Sequence, residues 1–258
     1  MTTQVLTNTP IHFIHVIFLL VVIMGVRSGL ETFTRTAEIF FPWAMMFFLI
    51  MVVLLPPEFH FNFLRPVFSQ GVAPIVEAAI PLWSTPYMEL IVMLMFLPFV
   101  SSVAKARKAF WIGTCIGGVL IAIISVLSIL VLGVDLTATQ MYPSYSLAKK
   151  ISIGNFLERV EVVMAGIWFI TIYFKLTISY YAGVMSFAEV FGLKDTRSLN
   201  LPFGILLIVL SIVVYPDVAY FMKFASKIDF AYSIPYALGF PLLIWLVAAI
   251  RKLKDKER

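Results

Sequence analysis

The sequence consists of long apolar blocks separated by short charged or polar segments. An α-helix needs about 20 apolar residues to cross the roughly 30 Å hydrocarbon core of a bilayer. Seven blocks meet this requirement, at residues 11–28, 39–55, 72–100, 109–134, 162–190, 199–215 and 230–250. Hydrophobic residues make up 61% of the 258-residue chain and charged residues only 13%, which excludes a water-soluble globular domain. The pattern predicts an all-α integral membrane protein, with seven transmembrane helices in a single domain over residues 1–258.

Lysine and arginine are distributed unevenly between the two sets of helix ends. The set that includes Arg27, Lys105 and the C-terminal residues carries twelve, whereas the opposite set, which includes Arg65 and Lys149, carries six. Because cytoplasmic loops are enriched in these residues, the C-terminus is predicted to be cytoplasmic, and an odd number of spans places the N-terminus outside. Positive charge scattered in this way indicates membrane loops, not a surface that binds nucleic acid.

Two prolines, Pro81 and Pro86, interrupt the third block. Proline lacks the backbone N–H and clashes with the preceding helical turn, so this span is predicted to be broken near residues 81–86. A threonine followed by proline is typical of a helix start, and Thr85 is therefore expected to begin a half-helix. The amides of such a start favour an anion, for example the carboxylate of an amino acid. The alternative is a kinked helix, or a loop that ends just before the span.

Lys175 lies near the centre of the fifth block, where a charge costs about 2.5–3.5 kcal/mol on insertion scales. It is expected to face a partner inside the protein, with Glu89 as the first candidate and Glu161 as the second. This pair would either hold the bundle together or serve ligand binding or coupling. A second polar stripe follows the same helix at four-residue spacing, through Tyr173, Thr177 and Tyr181. For Thr177 the alternative is a hydrogen bond to its own helix backbone.

Other polar and small residues give weaker indications. His12 and His15 share a helix face, but no third ligand has metal-site spacing, so no metal is predicted. The sequence carries no recognisable catalytic triad, phosphate-binding loop or haem motif, so we expect no enzyme activity, no catalytic residue and no cofactor. Gly113, Gly117 and Gly118 in the fourth block suggest close packing between helices.

Five segments carry a family pattern that extends over nearly the whole chain. The most specific is Phe156–Glu161 with the residues that follow it, up to Asp195. The others are Glu38–Pro42, Met93–Phe99, Lys105–Lys108 and Leu201–Ile205. In these segments the chain resembles the endospore germination permeases, the B subunits of nutrient germinant receptors. These proteins belong to the amino acid–polyamine–organocation superfamily.

The resemblance implies a LeuT-type fold of two inverted five-helix repeats, which ordinarily has ten spans. The seven blocks correspond to the fourth to tenth of these, so the bundle is expected to be partial and to lack the first three spans, as in a truncated gene, a misassigned start or a fragment. Ligands of the fold bind at its broken first and sixth helices, with help from the third and eighth. The third and fifth blocks match the sixth and eighth helices. The ligand-binding residues implied on this chain are Leu82, Ser84, Thr85, Thr177 and Tyr181.

The function that the resemblance implies is that of a ligand-binding receptor subunit in the spore inner membrane. It would sense a small nutrient, such as an amino acid, and trigger germination together with other receptor subunits. One alternative is an amino acid or proton-coupled transporter of the same superfamily, because receptor and transporter need the same kind of site. The other alternative is a truncated remnant without function.

Overall fold

The computed structural model describes residues 5–6, 8–66, 71–151, 160–193, 195–215 and 217–251. Glu158 and Arg159 of the family pattern, Lys194 and the basic C-terminal residues lie outside these ranges. Every regular element within them is helical, which confirms the all-α prediction. The α-helices are α1 (Ile11–Arg27), α2 (Leu30–Leu54), α3 (Ala73–Tyr87), α4 (Val103–Leu132), α5 (Val134–Thr139), α6 (Pro143–Lys150), α7 (Glu161–Val190), α8 (Asn200–Val213), α9 (Val218–Lys227), α10 (Asp229–Ile234) and α11 (Phe240–Ile250).

Short stretches of other helical geometry connect some of these elements. The 3₁₀ turns Pro56–Glu58 and Phe61–Leu64 follow α2, and a longer 3₁₀ helix, Met88–Phe99, continues α3. A π-helical turn, Pro235–Gly239, joins α10 to α11. The π-turn begins at a proline, which cannot donate the hydrogen bond of a regular α-helix.

The described helices account for five candidate membrane spans, or six if α8 and α9 form one bent span. The five are Leu30–Leu54, Ala73–Phe99, Val103–Leu132, Glu161–Val190 and Asp229–Ile250. The first predicted span corresponds to α1, which has only 17 residues, and the sixth corresponds to α8, which has only 14. The chain is thus an integral membrane protein by length and composition of its helices, but the count of seven spans is not confirmed.

The chain divides into two compact units. Unit 1 contains Met1–Val67 and Arg107–Ser211, and unit 2 contains Phe68–Ala106 and Ile212–Arg258. The prediction of one transmembrane domain stays a prediction.

One core of unit 1 lies where α2, α4, α6 and α7 meet. Met51 of α2 and Leu55, which directly follows the helix, pack against Leu147 of α6. All three side chains are fully or almost fully buried. Trp168 of α7 contacts the ring of Tyr145 at a centroid distance of 5.5 Å. Large apolar and aromatic side chains thus hold the short helix α6 against the long helices.

The second core of unit 1 is formed by α1, α7 and α8. Val22 of α1 and Val184 of α7 are almost completely buried at its centre. Gly25 permits close approach of α1 and α7, because a Cβ atom there would lie 2.5 Å from the hydroxyl oxygen of Tyr173. On another side, His15 Nδ1 and the hydroxyl of Ser211 are 2.9 Å apart, which links α1 to α8.

Two of the α4 glycines, Gly113 and Gly117, do not have the predicted role within the described structure. A Cβ atom at Gly113 or at Gly117 would meet no described atom within 4 Å. Close helix packing instead uses Gly25 on α1 and Gly204 on α8. At Gly204 a Cβ atom would lie 2.6 Å from Ile23 Cδ1.

In unit 2 the predicted half-helix that starts at Thr85 is wrong. Helix α3 runs from Ala73 to Tyr87 through both prolines, and the N–H of Met88 still donates to the carbonyl of Ser84. The change of geometry comes at Met88, where the 3₁₀ helix begins. Each proline removes one N–H donor, but the bonds around it are sufficient to keep the backbone helical, so the prolines modify the helix without ending it.

Candidate ligand-binding residues

The predicted site residue Thr85 faces a carboxylate within unit 2. Its hydroxyl donates a hydrogen bond to Asp229 Oδ2 at 3.4 Å, and both residues are half-buried. Asp229 is the first residue of α10, and the next residue, Phe230, contacts the ring of Trp83 on α3 at a centroid distance of 6.1 Å. The aromatic contact therefore holds α10 against α3 at the level of the Thr85–Asp229 hydrogen bond.

Other hydroxyl groups lie on the same two helices. Ser84 is 1% exposed and donates to the carbonyl of Pro81 at 3.2 Å. On the other side, Ser233 is buried, and its hydroxyl lies 2.8 Å from that of Tyr236. Hydroxyl groups with partners of this kind can be buried at little cost, so they give α3 and α10 a polar character inside otherwise apolar spans.

The backbone near Thr85 adds a further acceptor. In a regular α-helix the N–H of residue 86 would donate to the carbonyl of Leu82, but residue 86 is proline. The side chain of Leu82 is half-exposed, so the contribution of this residue to polar chemistry is its carbonyl. The Asp229 carboxylate at Thr85 favours a cation or a hydrogen-bond donor and disfavours the carboxylate expected from sequence.

Asp229 is the residue of the candidate site that sequence reasoning missed. It directly precedes the seventh apolar block, at residues 230–250, and was not among the predicted site residues. An acidic residue at the first position of a span is the signal that could have revealed it. Such a carboxylate is either hydrated at the membrane surface or hydrogen-bonded to a partner on a neighbouring helix. Here its partner is Thr85.

Thr177 is a residue of α7 in unit 1, and its side chain faces α1. Its side chain is 1% exposed, and its hydroxyl donates to the carbonyl of Tyr173 at 2.7 Å, which is the alternative role that sequence allowed. Its Cγ2 atom faces Gly25, at 3.6 Å from the position of a Cβ atom there. Donation uses the O–H, so the hydroxyl oxygen keeps its lone pairs free to accept a further hydrogen bond.

Tyr181 is also part of unit 1. It is half-buried and lines a polar cavity of about 150 Å³ at the C-terminal end of α1 and the N-terminal end of α8. Lys175 lies on α7 in unit 1 and Glu89 on the 3₁₀ helix of unit 2, and their pairing stays a prediction. In the described parts of the chain, no three His, Cys, Asp or Glu residues are grouped in a way that could hold a metal ion.

The helices and these residues define a polytopic α-helical membrane protein with hydrogen-bonding side chains inside apolar spans. The family model described as "Spore germination protein" matches residues 1–217, and the chain belongs to this family. The family resemblance seen in the sequence is thereby confirmed.

Several relatives are Bacillus subtilis (strain 168) proteins. The chain is 26% identical to spore germination protein KB over 257 residues, which cover 97% of this chain and 68% of that protein. It is 28% identical to the putative spore germination protein YfkT over 96% of this chain and 68% of the relative. Spore germination protein B2 is 22% identical over 96% of this chain and 67% of its own length. No solved structure matches the chain.

Proposed function

We propose that this chain is the ligand-binding membrane subunit of a spore nutrient germinant receptor. It senses a small nutrient, such as an amino acid, and acts with other receptor subunits in the spore inner membrane, with its C-terminus in the cytoplasm. Family membership and the names of the relatives support the role in germination. The observation that carries ligand binding is the contact between Thr85 and Asp229 inside the candidate spans.

The chemistry of this contact suits the ammonium group of an amino acid. The Asp229 carboxylate supplies the negative charge, and the hydroxyl of Thr85 and the carbonyl of Leu82 supply further polar contacts. An ammonium group that leaves water needs such partners, because an isolated charge in apolar surroundings is very unfavourable. Ser84, on the same helix of unit 2, joins this contact in the proposal, and Thr177 and Tyr181 on α7 of unit 1 stay predicted ligand-binding residues.

Signalling follows from a shift between two arrangements of the helices. A ligand that binds one arrangement more tightly increases its population in proportion to the difference in affinity. The partner subunits then respond to the favoured arrangement. This scheme needs no net movement of the ligand across the membrane, whereas a transporter must move its ligand from one side to the other.

Two measurements on the purified full chain test the proposal. The first is equilibrium binding of a panel of radiolabelled amino acids in detergent, in which we expect saturable binding of at least one. The second is uptake of the same compound into proteoliposomes, in which we expect none. Uptake that depends on Lys175 would establish the transporter instead, and absence of binding to every amino acid in the panel would contradict ligand sensing of this class.

Replacement of Thr177 by valine tests its place among the ligand-binding residues. Valine has nearly the same shape and loses one hydrogen bond, so the free energy of unfolding should fall by only about 1 kcal/mol. Affinity for the bound amino acid should fall about fivefold or more, because the free lone pairs of the hydroxyl are lost. Both quantities are measured by unfolding in detergent and by equilibrium binding.

Thr171→Val is the matched control, since Thr171 is exposed and its hydroxyl donates to the carbonyl of Ile167 at 2.8 Å in the same way. Thr171→Val should change neither the free energy of unfolding nor the affinity by more than one exposed hydrogen bond contributes. Equal affinities of the two variants would remove Thr177 from the proposed ligand-binding set and leave it a packing residue.

A further inference from the structure

A small polar cavity in unit 1 has features that ligand sensing at Thr85 and Asp229 does not explain. It has a volume of about 150 Å³, and its polar wall includes Arg27, Tyr181, Thr196, Arg197 and Asn200. Val184 of the α1–α7–α8 core forms part of its apolar wall. A polar cavity in contact with a buried apolar core calls for a ligand or water to satisfy its polar groups.

The local sequence explains how these side chains come together. Helix α7 ends with Gly192 in the left-handed conformation (φ 63°), and the N–H of Leu193 donates to the carbonyl of Ala188, so the chain turns back sharply. The carboxylate of Asp195 then accepts the N–H of Arg197 at 2.9 Å, which forms a tight turn before α8. This turn places Arg197 and Asn200 beside Arg27, the last residue of α1.

Asn200 is held firmly in the wall of the cavity. Its side chain is 3% exposed, and its backbone carbonyl accepts a hydrogen bond from the hydroxyl of Tyr180. Its side-chain oxygen Oδ1 is buried and has no hydrogen-bond partner among the residues that the structure describes. An unpaired buried acceptor is unfavourable by about 1–3 kcal/mol, so a donor that reaches it from the cavity would be strongly bound.

The two arginines give the cavity a positive charge. Within the described ranges, neither Arg27 nor Arg197 has a carboxylate oxygen within 4 Å. Arg35, at the same helix ends, differs because it forms an ion pair with Glu31 at 2.8 Å. The nearby Asp195 binds the backbone of Arg197 and is not part of the cavity wall. The guanidinium groups are therefore available for an anion with several oxygens.

We propose that this cavity binds a phosphoryl group that carries a hydroxyl donor, which is the chemistry of glycerol phosphate. The phosphoryl oxygens accept hydrogen bonds from Arg27 and Arg197, and a glycerol hydroxyl donates to Asn200 Oδ1. A neutral hydroxyl is favoured over an ammonium group as this donor, because two cationic side chains line the same small space. The group is supplied by the headgroup of phosphatidylglycerol or by soluble glycerol phosphate.

This second site is distinct from the Thr85–Asp229 contact, and it assigns a role to helix ends that the family resemblance leaves without one. In the orientation predicted from loop charges, these ends face the cytoplasm. A phosphate headgroup there would connect α1, α7 and α8 through one ligand. Its occupancy would stabilise the folded unit in proportion to the logarithm of ligand concentration.

The test measures binding to the purified full chain in a zwitterionic detergent. The probes are a short-chain phosphatidylglycerol, the phosphatidylcholine of equal chain length, and soluble glycerol phosphate, and the readouts are native mass spectrometry and thermal unfolding. We expect retention and stabilisation with phosphatidylglycerol or with glycerol phosphate, and neither effect with phosphatidylcholine. Binding of the lipid alone identifies a headgroup site, and binding of both identifies a site for the soluble compound as well.

Variants connect the binding to the cavity. Arg197→Gln should weaken it by about tenfold, as expected for loss of a charge-assisted hydrogen bond. Arg35→Gln, which removes a charge at the same helix ends outside the cavity, should leave it unchanged. Asn200→Leu should remove the preference for the glycerol hydroxyl, but Asn200 is buried, so the surface variant Arg197→Gln decides if the leucine variant does not fold.

Three outcomes would overturn the proposal. The first is equal retention of phosphatidylglycerol and phosphatidylcholine, without binding of glycerol phosphate. The second is equal weakening by Arg197→Gln and Arg35→Gln, which would indicate a diffuse charge effect. The third is displacement of the bound probe by an amino acid that also binds in the nutrient assay, which would make the cavity part of the sensing site. Failure of nutrient binding itself leaves this test unaffected.

Discussion

Asp229→Asn should reduce the affinity for an amino acid nutrient by about 10- to 100-fold, which is the largest effect expected of any single substitution in this chain. The substitution keeps the shape of the side chain and its hydrogen bond with Thr85, but removes the negative charge that binds the ligand's ammonium group. Charge-assisted hydrogen bonds contribute about 1.5–3 kcal/mol, which corresponds to this range. Equilibrium binding of the labelled amino acid to the purified variant measures the loss.

Glu77→Gln is the matched control for Asp229→Asn. Glu77 is exposed on α3 in the same unit, so its substitution removes an equal charge from the same part of the chain. Its effect on binding should be less than twofold. The unfolding of the unchanged chain and of both variants must be compared in detergent. Asp229 also lies in the first turn of α10, where a negative charge stabilises a helix by about 0.3–1 kcal/mol. Unchanged affinity in a folded Asp229→Asn variant would refute the ammonium-binding role.

Gly25→Leu should lower the free energy of unfolding by about 1–3 kcal/mol through overpacking between α1 and α7. A Cβ atom at this position lies 2.5 Å from the hydroxyl oxygen of Tyr173, and the rest of the leucine side chain would meet the same ring and Thr177. Gly25→Ala should be milder, because the atom that it meets is the far end of the tyrosine side chain, which can move away. Chemical or thermal unfolding in detergent provides the measurement.

Gly117→Leu gives the comparison for Gly25→Leu within unit 1. A Cβ atom at Gly117 meets no atom of the described residues within 4 Å, so a larger side chain there has room, and replacing glycine inside α4 should even favour the helix. If Gly117→Leu is destabilised as much as Gly25→Leu, helices pack closely at the α4 glycines, as the sequence had suggested.

The apolar blocks could be predicted from sequence because length and hydropathy alone decide whether a helix can cross a bilayer. Each predicted block contains an apolar helix in the structure. The exact ends were harder to predict where charged residues lie within a helix, since α2 begins at Leu30, nine residues before the predicted block 39–55, and includes Glu31 and Arg35.

The site was less predictable because its chemistry depends on contacts between helices. Pro81 and Pro86 indicated an irregular helix correctly, but the rule that proline ends a helix failed where neighbouring hydrogen bonds kept the backbone helical. Thr85 was chosen for its backbone amides, whereas its hydroxyl turned out to face Asp229. Nothing in a sequence shows which carboxylate a distant hydroxyl will meet, since that is determined by packing such as the contact of Trp83 with Phe230.

The 3₁₀ geometry of Met88–Phe99 makes its span unusually long. The 15 residues of α3 rise about 22 Å along the helix axis, and the 12 residues of the 3₁₀ helix rise about 24 Å. Together they exceed the roughly 30 Å hydrocarbon core, so this span crosses at an oblique angle or extends into the headgroup layer. Rewinding Met88–Phe99 as an α-helix would shorten the span by about 6 Å, close to one helical turn, and would draw Val100 and the basic residues after it that far along the membrane normal.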